Sequence, residues 1–257
     1  MNLKPRLSRD GKLTATPRGW QLAIPAGPVY RYRLSQLDDH KGIARRSYPW
    51  RPPITLSLRA RISSPAVPGT WGFGMWNDPF GFSFGPGEQF LRLPALPNAA
   101  WFFFGSPRNY LSFRDDKPAN GLLAQAFQSP PFHPLLFNAA FALPFSRKRA
   151  RRLLSRIIEE DATRLDSPTM QQGMTQENLN TSVWHGYRLR WEQHQTRFWV
   201  DNNLVLDSRV SPRPPLGLVI WIDNQYAAFT PRGELKWGLE ENPEGASLEV
   251  EDLEVDF

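Results

Sequence analysis

Hydrophobic and polar residues alternate in many short segments of the chain, which is the period of a β-strand with one buried face. The longest example is residues 54–62, where Ile, Leu, Leu, Ala and Ile alternate with Thr, Ser, Arg and Arg. Further strands are predicted at 20–24, 30–34, 69–76, 110–113, 187–191, 196–200, 204–206 and 248–255. Two apolar runs, at 99–104 and 216–222, predict strands that are buried on both faces. About ten strands separated by turns are typical of a β-sandwich or barrel.

One segment has the period of a helix. Its apolar residues, three or four positions apart, are Ala150, Leu153, Leu154, Ile157, Ile158 and Leu165, and Ser146 is placed to cap its first turn. The polar positions carry bases first and then Glu159, Glu160 and Asp161, which is the reverse of the order that the helix dipole favours. We therefore predict one domain, residues 1–257, that carries a loop and helix insertion at 117–182.

Charge adds a second feature to this helix. The 257 residues hold 31 Lys and Arg against 25 Asp and Glu, a net charge of +6, and no nucleic-acid-binding motif accompanies it. Six bases cluster in the predicted helix: Arg147, Lys148, Arg149, Arg151, Arg152 and Arg156. They predict a surface for an acidic partner, for anionic lipid, or for the chain's own acidic C-terminus.

Composition excludes several chemistries. The chain has no cysteine, which excludes disulfides, thiol nucleophiles and cysteine-based metal sites. Its four histidines lack the spacing of a metal site. No apolar run reaches the roughly 20 residues of a membrane-spanning helix, and the first twenty residues do not resemble a secretory signal. A cytoplasmic location is the expectation.

Four segments in order resemble a known superfamily. Residues 185–205, HGYRLRWEQHQTRFWVDNNLV, resemble the H-x-Y-x-[VL]-x-W … V-D-G stretch of the concanavalin A-like lectin/glucanase superfamily, and are most similar to glycoside hydrolase family 16, the laminarinase-like β-glucanases. Residues 54–76, 216–222 and 251–257 resemble that family's other strands. The resemblance implies an all-β fold, a two-sheet antiparallel β-sandwich (concanavalin A-like jelly roll) with a helical insertion.

The family's catalytic motif is missing. Its strand reads E-x-D-x-x-E, whose outer carboxylates lie about 5–5.5 Å apart for retaining hydrolysis. The equivalent strand here is Asn98 to Gly105, and no Asp or Glu lies between Gln89 and Asn109. Amide, methyl and aromatic groups do not act as nucleophile or general acid at neutral pH. The remaining weak catalytic candidates are Asp78, Glu88, Asp115 with its neighbour Asp116, and Asp223.

The resemblance also implies a concave groove lined by aromatic rings. The candidate ligand-binding residues are Trp71, Trp76, Trp101, Phe102 and Trp221, with Asn98, Arg108, Asp223, Asn224 and Gln225 as polar groups. Trp221 and Asp223 share strand parity and are expected on one face. Burial of the rings in the core is the alternative. The insertion is expected to cover this groove.

Asp252 stands where the family places an Asp that helps to hold a structural calcium ion, and no other cofactor is expected.

Three functions remain open at this point. The first is a non-hydrolytic, lectin-like domain that binds a carbohydrate or another ring-bearing ligand in the aromatic groove. The second is an enzyme, either a glycosidase with relocated carboxylates or an enzyme that acts on an apolar small molecule. The third is an adaptor protein that uses the basic helix.

Overall fold

The computed structural model describes residues 1–79, 95–131, 147–167, 169–171, 174–176 and 178–257. In chain order its strands are β1 (Lys4–Leu7), β2 (Lys12–Thr16), β3 (Gly19–Ile24), β4 (Leu34–Asp38), β5 (Ile54–Ile62), β6 (Thr70–Trp76), β7 (Ala99–Gly105), β8 (Gly121–Gln128), β9 (Glu159–Arg164), β10 (Thr169–Gln171), β11 (Met174–Gln176), β12 (His185–Trp191), β13 (Thr196–Val200), β14 (Asn203–Ser208), β15 (Gly217–Asp223), β16 (Gln225–Phe229), β17 (Leu235–Leu239) and β18 (Ala246–Asp256). A 3-10 turn (Arg45–Ser47) and the helix α1 (Arg147–Ile157) complete them.

Two seven-stranded antiparallel sheets stack to form the body. Sheet A has the order β1-β4-β15-β6-β7-β8-β9, and sheet B has the order β14-β13-β12-β5-β18-β3-β2. Two short hairpins, β10-β11 and β16-β17, stand apart from them. The predicted fold class, a two-sheet antiparallel β-sandwich with one helix, is confirmed.

The main core lies between the sheets and follows from strand alternation. On β5 every second residue from Ile54 to Ile62 is buried, and these side chains face the partner sheet. Sheet A contributes Trp71, Phe73 and Met75 from β6 to the same cluster. The intervening residues of sheet B, such as Arg59, face solvent or neighbouring polar side chains.

Sheet A is buried on both faces. All seven residues of β6, of β7 and of β15 are buried. A second apolar cluster covers the face that points away from sheet B, which we call the outer face. Leu154 of α1, Ile158 just after it and Phe229 of β16 pack in that cluster. A helix and a hairpin therefore cover part of the outer face.

The helix is shorter than the sequence predicts. It ends at Ile157, and Glu159–Arg164 form β9, which pairs with β8 at the edge of sheet A. The acids that were expected at a helix C-terminus thus belong to a strand. Leu153 is exposed, whereas Leu154 and Ile158 are buried. The proposed cap, Ser146, lies outside the described residues.

Three strand predictions also differ from the structure. Residues 30–33 form a turn instead of a strand, because the Arg33 guanidinium donates to the carbonyls of Pro28 and Arg31. Tyr110 makes only an isolated bridge to Ala228. Residues 121–128, within the predicted insertion, form β8, a strand of sheet A. The predicted β13-β14 hairpin is present, with positive φ at Asp201 (47°) and Asn202 (66°).

The acidic C-terminus forms β18 in the middle of sheet B. Its Glu249 and Glu251 pair with Arg61 and Arg59 of β5, at 2.9 and 3.6 Å. These two acids of the C-terminus therefore pair with sheet B and not with the basic helix. Among the described residues, no helix combines the length and the apolar character needed to cross a membrane.

Candidate functional site

Four aromatic rings form a continuous cluster on the outer face of sheet A. Trp76 and Trp221 stack at 5.9 Å with 6° between their planes, and Trp101 lies 5.7 Å from Trp221. Phe103 is 5.7 Å from Trp221 and 5.3 Å from Trp101. Glycine makes room for them: a Cβ at Gly72 would lie 2.8 Å from the Trp221 ring. The structure thus brings together three of the predicted ring residues.

Each of the three indoles uses its N–H inside the protein. Trp76 Nε1 donates to His40 Nε2 at 3.1 Å, and Trp101 Nε1 donates to Gln125 Oε1 at 3.0 Å. Trp221 Nε1 donates to Thr70 Oγ1 at 2.9 Å. The three tryptophans are 8%, 2% and 6% exposed. They form a second core with satisfied polar groups, and not an open stacking platform.

Trp71 and Phe102 lie on the opposite face. Trp71 stacks on Phe104 at 5.7 Å between the sheets, and Phe102 packs against Phe198 of sheet B at 5.3 Å. Strand alternation is the reason, since Trp71 and Trp76 are five positions apart on one strand and must point in opposite directions. Their predicted place in the groove is corrected.

Asp223 lies at the end of β15 on the same outer face as Trp221. Its Oδ1 accepts hydrogen bonds from Thr70 Oγ1 at 2.7 Å and from the Gln225 amide at 3.2 Å. Tyr32 Oη lies 3.4 Å from its Oδ2. Burial raises the pKa of Asp223 from 3.8 to about 7, although these hydrogen bonds act in the opposite direction. Asp223 is therefore a carboxyl group that can hold a proton near neutral pH.

Two further carboxylates are buried on this face, and neither pairs with Asp223. Asp38 stands opposite Val219, four residues from Asp223 along β15, a Cα separation of roughly 13 Å at 3.3 Å per residue. Glu160 lies on β9, four strands away, where it accepts from Gln125 and from the Phe113 amide. Burial raises the pKa of Glu160. These separations exceed the carboxylate spacing of retaining glycosidases.

The other catalytic candidates are equally dispersed. Asp78 follows β6, whose far end pairs with Asp223, so the two lie roughly 20 Å or more apart. Asp115 and Asp116 are exposed and pair with Arg151 and Arg114. Glu88 lies outside the described residues. The described part of the chain holds no facing carboxylate pair on the outer face.

The side-chain amides of Asn98 and Asn224, which were predicted to bind a ligand, form hydrogen bonds with the protein's own backbone. Asn98 Oδ1 accepts from the amides of Ser129 and Arg213 at 3.1 and 2.9 Å. Asn224 is fully buried, and its amide bonds the backbone of Arg33, Arg31 and Glu240. These bonds enclose Asn224, whereas Asn98 is only partly buried and its amide nitrogen bonds the Ser129 carbonyl at 3.4 Å. A ligand-binding role for Asn98 stays a prediction, and the burial of Asn224 argues against such a role for that residue.

The geometry does not support the calcium hypothesis. Asp252 has a φ of 52° at a bulge in β18, and both of its oxygens accept from the Arg18 guanidinium. Across the described ranges, no three His, Asp or Glu side chains form a group that could hold a metal ion. His185 bonds Asp201 at 2.6 Å and the Asn180 carbonyl at 2.9 Å, which is a structural role.

Arg151 does not belong to a free basic surface. It is 4% exposed, and its Nη1 donates to the carbonyls of Ser112 and Phe229 at 2.9 and 2.7 Å. Its Nη2 donates to Asp115 at 2.8 Å. Arg151 links α1 to the sandwich through these bonds, so it is not part of the predicted six-base docking surface. Nothing in the described structure shows an acidic partner for the others.

An open cleft of about 560 Å³ lies at the end of the sandwich where β7 and β9 finish and β6 and β8 begin. Its polar lining residues are Ser106, Arg108, Asn120, Arg164, Asp166, Glu240 and Glu241, and its apolar ones are Pro65, Ala66, Val67, Pro68, Phe104, Pro107 and Pro243. We call it the end cleft. Among the predicted site residues, only Arg108 lines it. Its lining comes from four separate loops and strand ends, and no local motif marks such a set in the sequence.

The groups of the end cleft are held by each other. Arg108 stacks on Tyr226, with Cζ 3.9 Å from the ring centroid, and its Nε is 3.8 Å from Glu240. Glu240 also accepts from the Gly69 amide at 2.6 Å. Arg164 Nε pairs with Asp166 at 2.7 Å. Arg108 and Glu240, and likewise Arg164 and Asp166, thus form two donor–acceptor pairs in the cleft.

Comparison with known proteins gives distant likenesses. No family model and no curated protein matches the chain. The legume lectin-like domain of Entamoeba histolytica has a TM-score of 0.46 at 10% identity, over 99% of this chain and 89% of that chain. LamAcat of Zobellia galactanivorans has 0.46 at 13%, over 92% and 77%, and the carbohydrate binding module CBM66 of Bacillus subtilis has 0.39 at 9%, over 97% and 95%. These scores carry no argument about activity.

Proposed function

We propose that the protein is a non-hydrolytic binding domain for a neutral carbohydrate, and that the sugar occupies the end cleft. The observation that carries the proposal is the lining of this cleft, where arginine donors and carboxylate acceptors occur together beside prolines and Phe104. A sugar hydroxyl donates and accepts at once, so it needs both kinds of partner within reach. The C–H faces of a sugar ring need an apolar wall.

Charge favours a neutral ligand over an acidic one. Two arginines, Arg108 and Arg164, stand against three carboxylates, Asp166, Glu240 and Glu241, so the lining carries one net negative charge. An anionic sugar would meet that excess in a partly desolvated cleft. The proposal keeps the lectin-like function expected from the sequence, but it places the binding site in the end cleft instead of on the aromatic face.

Binding without hydrolysis is proposed because two of the three carboxylates of the cleft, Asp166 and Glu240, are already engaged. Asp166 pairs with Arg164, and Glu240 holds the Gly69 amide and faces Arg108. A general acid needs a proton to give, and a nucleophile needs an unobstructed lone pair. Carboxylates bound by guanidinium and amide groups act as fixed acceptors instead.

The test is a glycan array probed with the full chain, followed by calorimetric titration of each neutral oligosaccharide that binds. Arg108→Ala removes one charged donor, which corresponds to about 1.5–3 kcal/mol and a roughly tenfold or greater loss of affinity. Arg213→Ala, an exposed arginine outside the cleft, is the matched control and leaves the affinity unchanged. Absence of neutral-glycan binding, or equal affinities of the two variants, refutes the proposed site. Release of reducing ends from β-glucans would refute the non-hydrolytic part.

A further inference from the structure

A second cleft, of about 480 Å³, lies between the N-terminal half of α1 and the loop that precedes β8. We call it the helix cleft. Its helical wall is formed by Lys148, Arg151, Arg152 and Ser155, and its loop wall by residues 113–116. These four helix residues are three or four positions apart and share one side of α1. The helix cleft is separate from the end cleft and does not depend on the function proposed above.

Positive charge in the helix cleft is only half neutralised. Arg114 pairs with Asp116 at 2.6 Å, and Arg151 pairs with Asp115 at 2.8 Å. Lys148 and Arg152 are exposed and form no ion pair with a described residue. The nearby acid of the β16-β17 hairpin, Glu234, is itself paired with Lys236 at 2.8 Å. The charge of Lys148 also lowers the pKa of Glu234, so Lys148 shares this acid with Lys236. Within the described part of the chain, the four cations of the cleft thus face Asp115, Asp116 and a shared Glu234, and positive charge remains in excess.

The helix itself adds to this excess. The first turn of α1 begins at Arg147 and contains no acidic residue. The positive end of its dipole therefore lies among bases, where an acid is the stabilising choice. An anion in the helix cleft would offset both repulsions at once.

The cleft is also rigid. Arg151, which forms its floor, is 4% exposed and bonds two carbonyls from separate parts of the chain, those of Ser112 and Phe229. Its guanidinium lies 5.4 Å from the ring centroids of Tyr110 and of Phe229. The helix wall is thereby fixed relative to the loop wall before any ligand arrives, which lowers the entropy cost of binding.

We propose that the helix cleft binds a phosphate-type oxyanion. Lys148 and Arg152 supply the two charges, and the Ser155 hydroxyl, now donating to the Arg152 carbonyl at 3.0 Å, supplies a neutral donor. The bound group is either a free phosphorylated small molecule or a phosphate monoester on a lipid headgroup. Both sources present the same dianionic tetrahedron to the cleft.

The test uses the full chain and three probes: inorganic phosphate, glycerol 3-phosphate, and vesicles that contain phosphatidic acid. Titration calorimetry measures the first two, and vesicle flotation measures the third. The variant is Lys148→Ala with Arg152→Ala. The matched control, Arg46→Ala with Arg209→Ala, removes two exposed arginines from other surfaces and so keeps the same net charge. Thermal unfolding of both variants checks that they remain folded.

We expect saturable phosphate binding to the wild-type protein. The affinity should fall at least about tenfold in the helix variant and stay within about twofold of wild type in the control. Glycerol 3-phosphate binding tighter than inorganic phosphate then identifies a free ligand as the source, and retained vesicles identify a headgroup. Equal weakening in both variants, or vesicle binding without saturable binding of free phosphate, overturns the proposal, because attraction by net charge alone needs no cleft.

Discussion

Replacing Asp223 with asparagine tests whether the buried carboxyl on the outer face is protonated in the folded protein. Asp223 is 7% exposed, and burial raises its pKa to about 7. An amide of the same shape keeps the bonds from Thr70 and Gln225 on its oxygen. Its nitrogen can donate to Tyr32, which lies 3.4 Å from Oδ2. The substitution thus removes the titration and little else.

The two pKa values of Asp223, folded and unfolded, decide whether the free energy of unfolding rises or falls with pH. In the folded protein the carboxyl keeps its proton up to about pH 7, whereas the unfolded chain loses it near 3.8. The unfolded state therefore binds fewer protons between these values, and the free energy of unfolding falls as pH rises through the window. Each pH unit corresponds to about 1.36 kcal/mol, so the full effect is roughly 4 kcal/mol and is complete above pH 7. An asparagine side chain does not ionise and escapes this cost, so Asp223→Asn should gain stability over wild type as pH rises.

Urea unfolding followed by tryptophan fluorescence at pH 5, 6, 7 and 8 measures this difference. We expect the advantage of Asp223→Asn to grow by roughly 3 kcal/mol between pH 5 and pH 8. The exposed Asp256→Asn is the control and gives a difference that does not depend on pH. An equally flat difference for Asp223→Asn would show that the folded protein ionises this carboxyl normally, and the burial argument would fail.

The remaining predictions concern stability and are measured by urea unfolding at one pH. Arg151→Met removes the guanidinium that donates to the carbonyls of Ser112 and Phe229 and destabilises by about 2–4 kcal/mol, whereas Arg152→Met stays within about 0.5 kcal/mol. Gly74→Ala places a Cβ 2.5 Å from the backbone of β7 at a φ of 154° and prevents stable folding, while Gly186→Ala, whose Cβ would meet nothing closer than 3.8 Å, is tolerated. Trp101→Phe leaves its buried amide acceptor unpaired and costs about 1–3 kcal/mol. Unfolding free energies equal to wild type in Arg151→Met, Gly74→Ala or Trp101→Phe would contradict the contacts on which these values rest.

Alternation predicts the strands of sheet B well and those of sheet A less well. In β5 and β12 one face is buried and one is polar, so each strand can be recognised from its own residues. In β8, residues 121–128, seven of eight positions are buried, and no alternation remains to distinguish a strand from a loop or helix. The strand β9 is specified by pairing with β8, a long-range contact that residues 159–164 do not reveal by themselves.

Strand parity accounts for what could be predicted of the candidate site. Trp221 and Asp223 lie on one face, as their spacing indicates. The same rule places Trp71 and Phe102 on the inner face, because each stands an odd number of positions from a ring on the outer face. The end cleft and the helix cleft could not be found this way. Each is assembled from loops or elements that are distant in sequence and whose positions depend on tertiary packing.

Burial of sheet A on both faces determines where a ligand can bind at low cost. A ligand that stacks on Trp101 or Trp221 must first displace the groups that bury these rings, and with them apolar contacts worth about 25 cal/mol per Å². Displacing α1 also breaks the three hydrogen bonds of Arg151. A ligand in the end cleft or the helix cleft breaks none of these contacts. The burial of the aromatic face thus favours the two clefts as the proposed binding places, one for hydroxyl groups and the other for an anion.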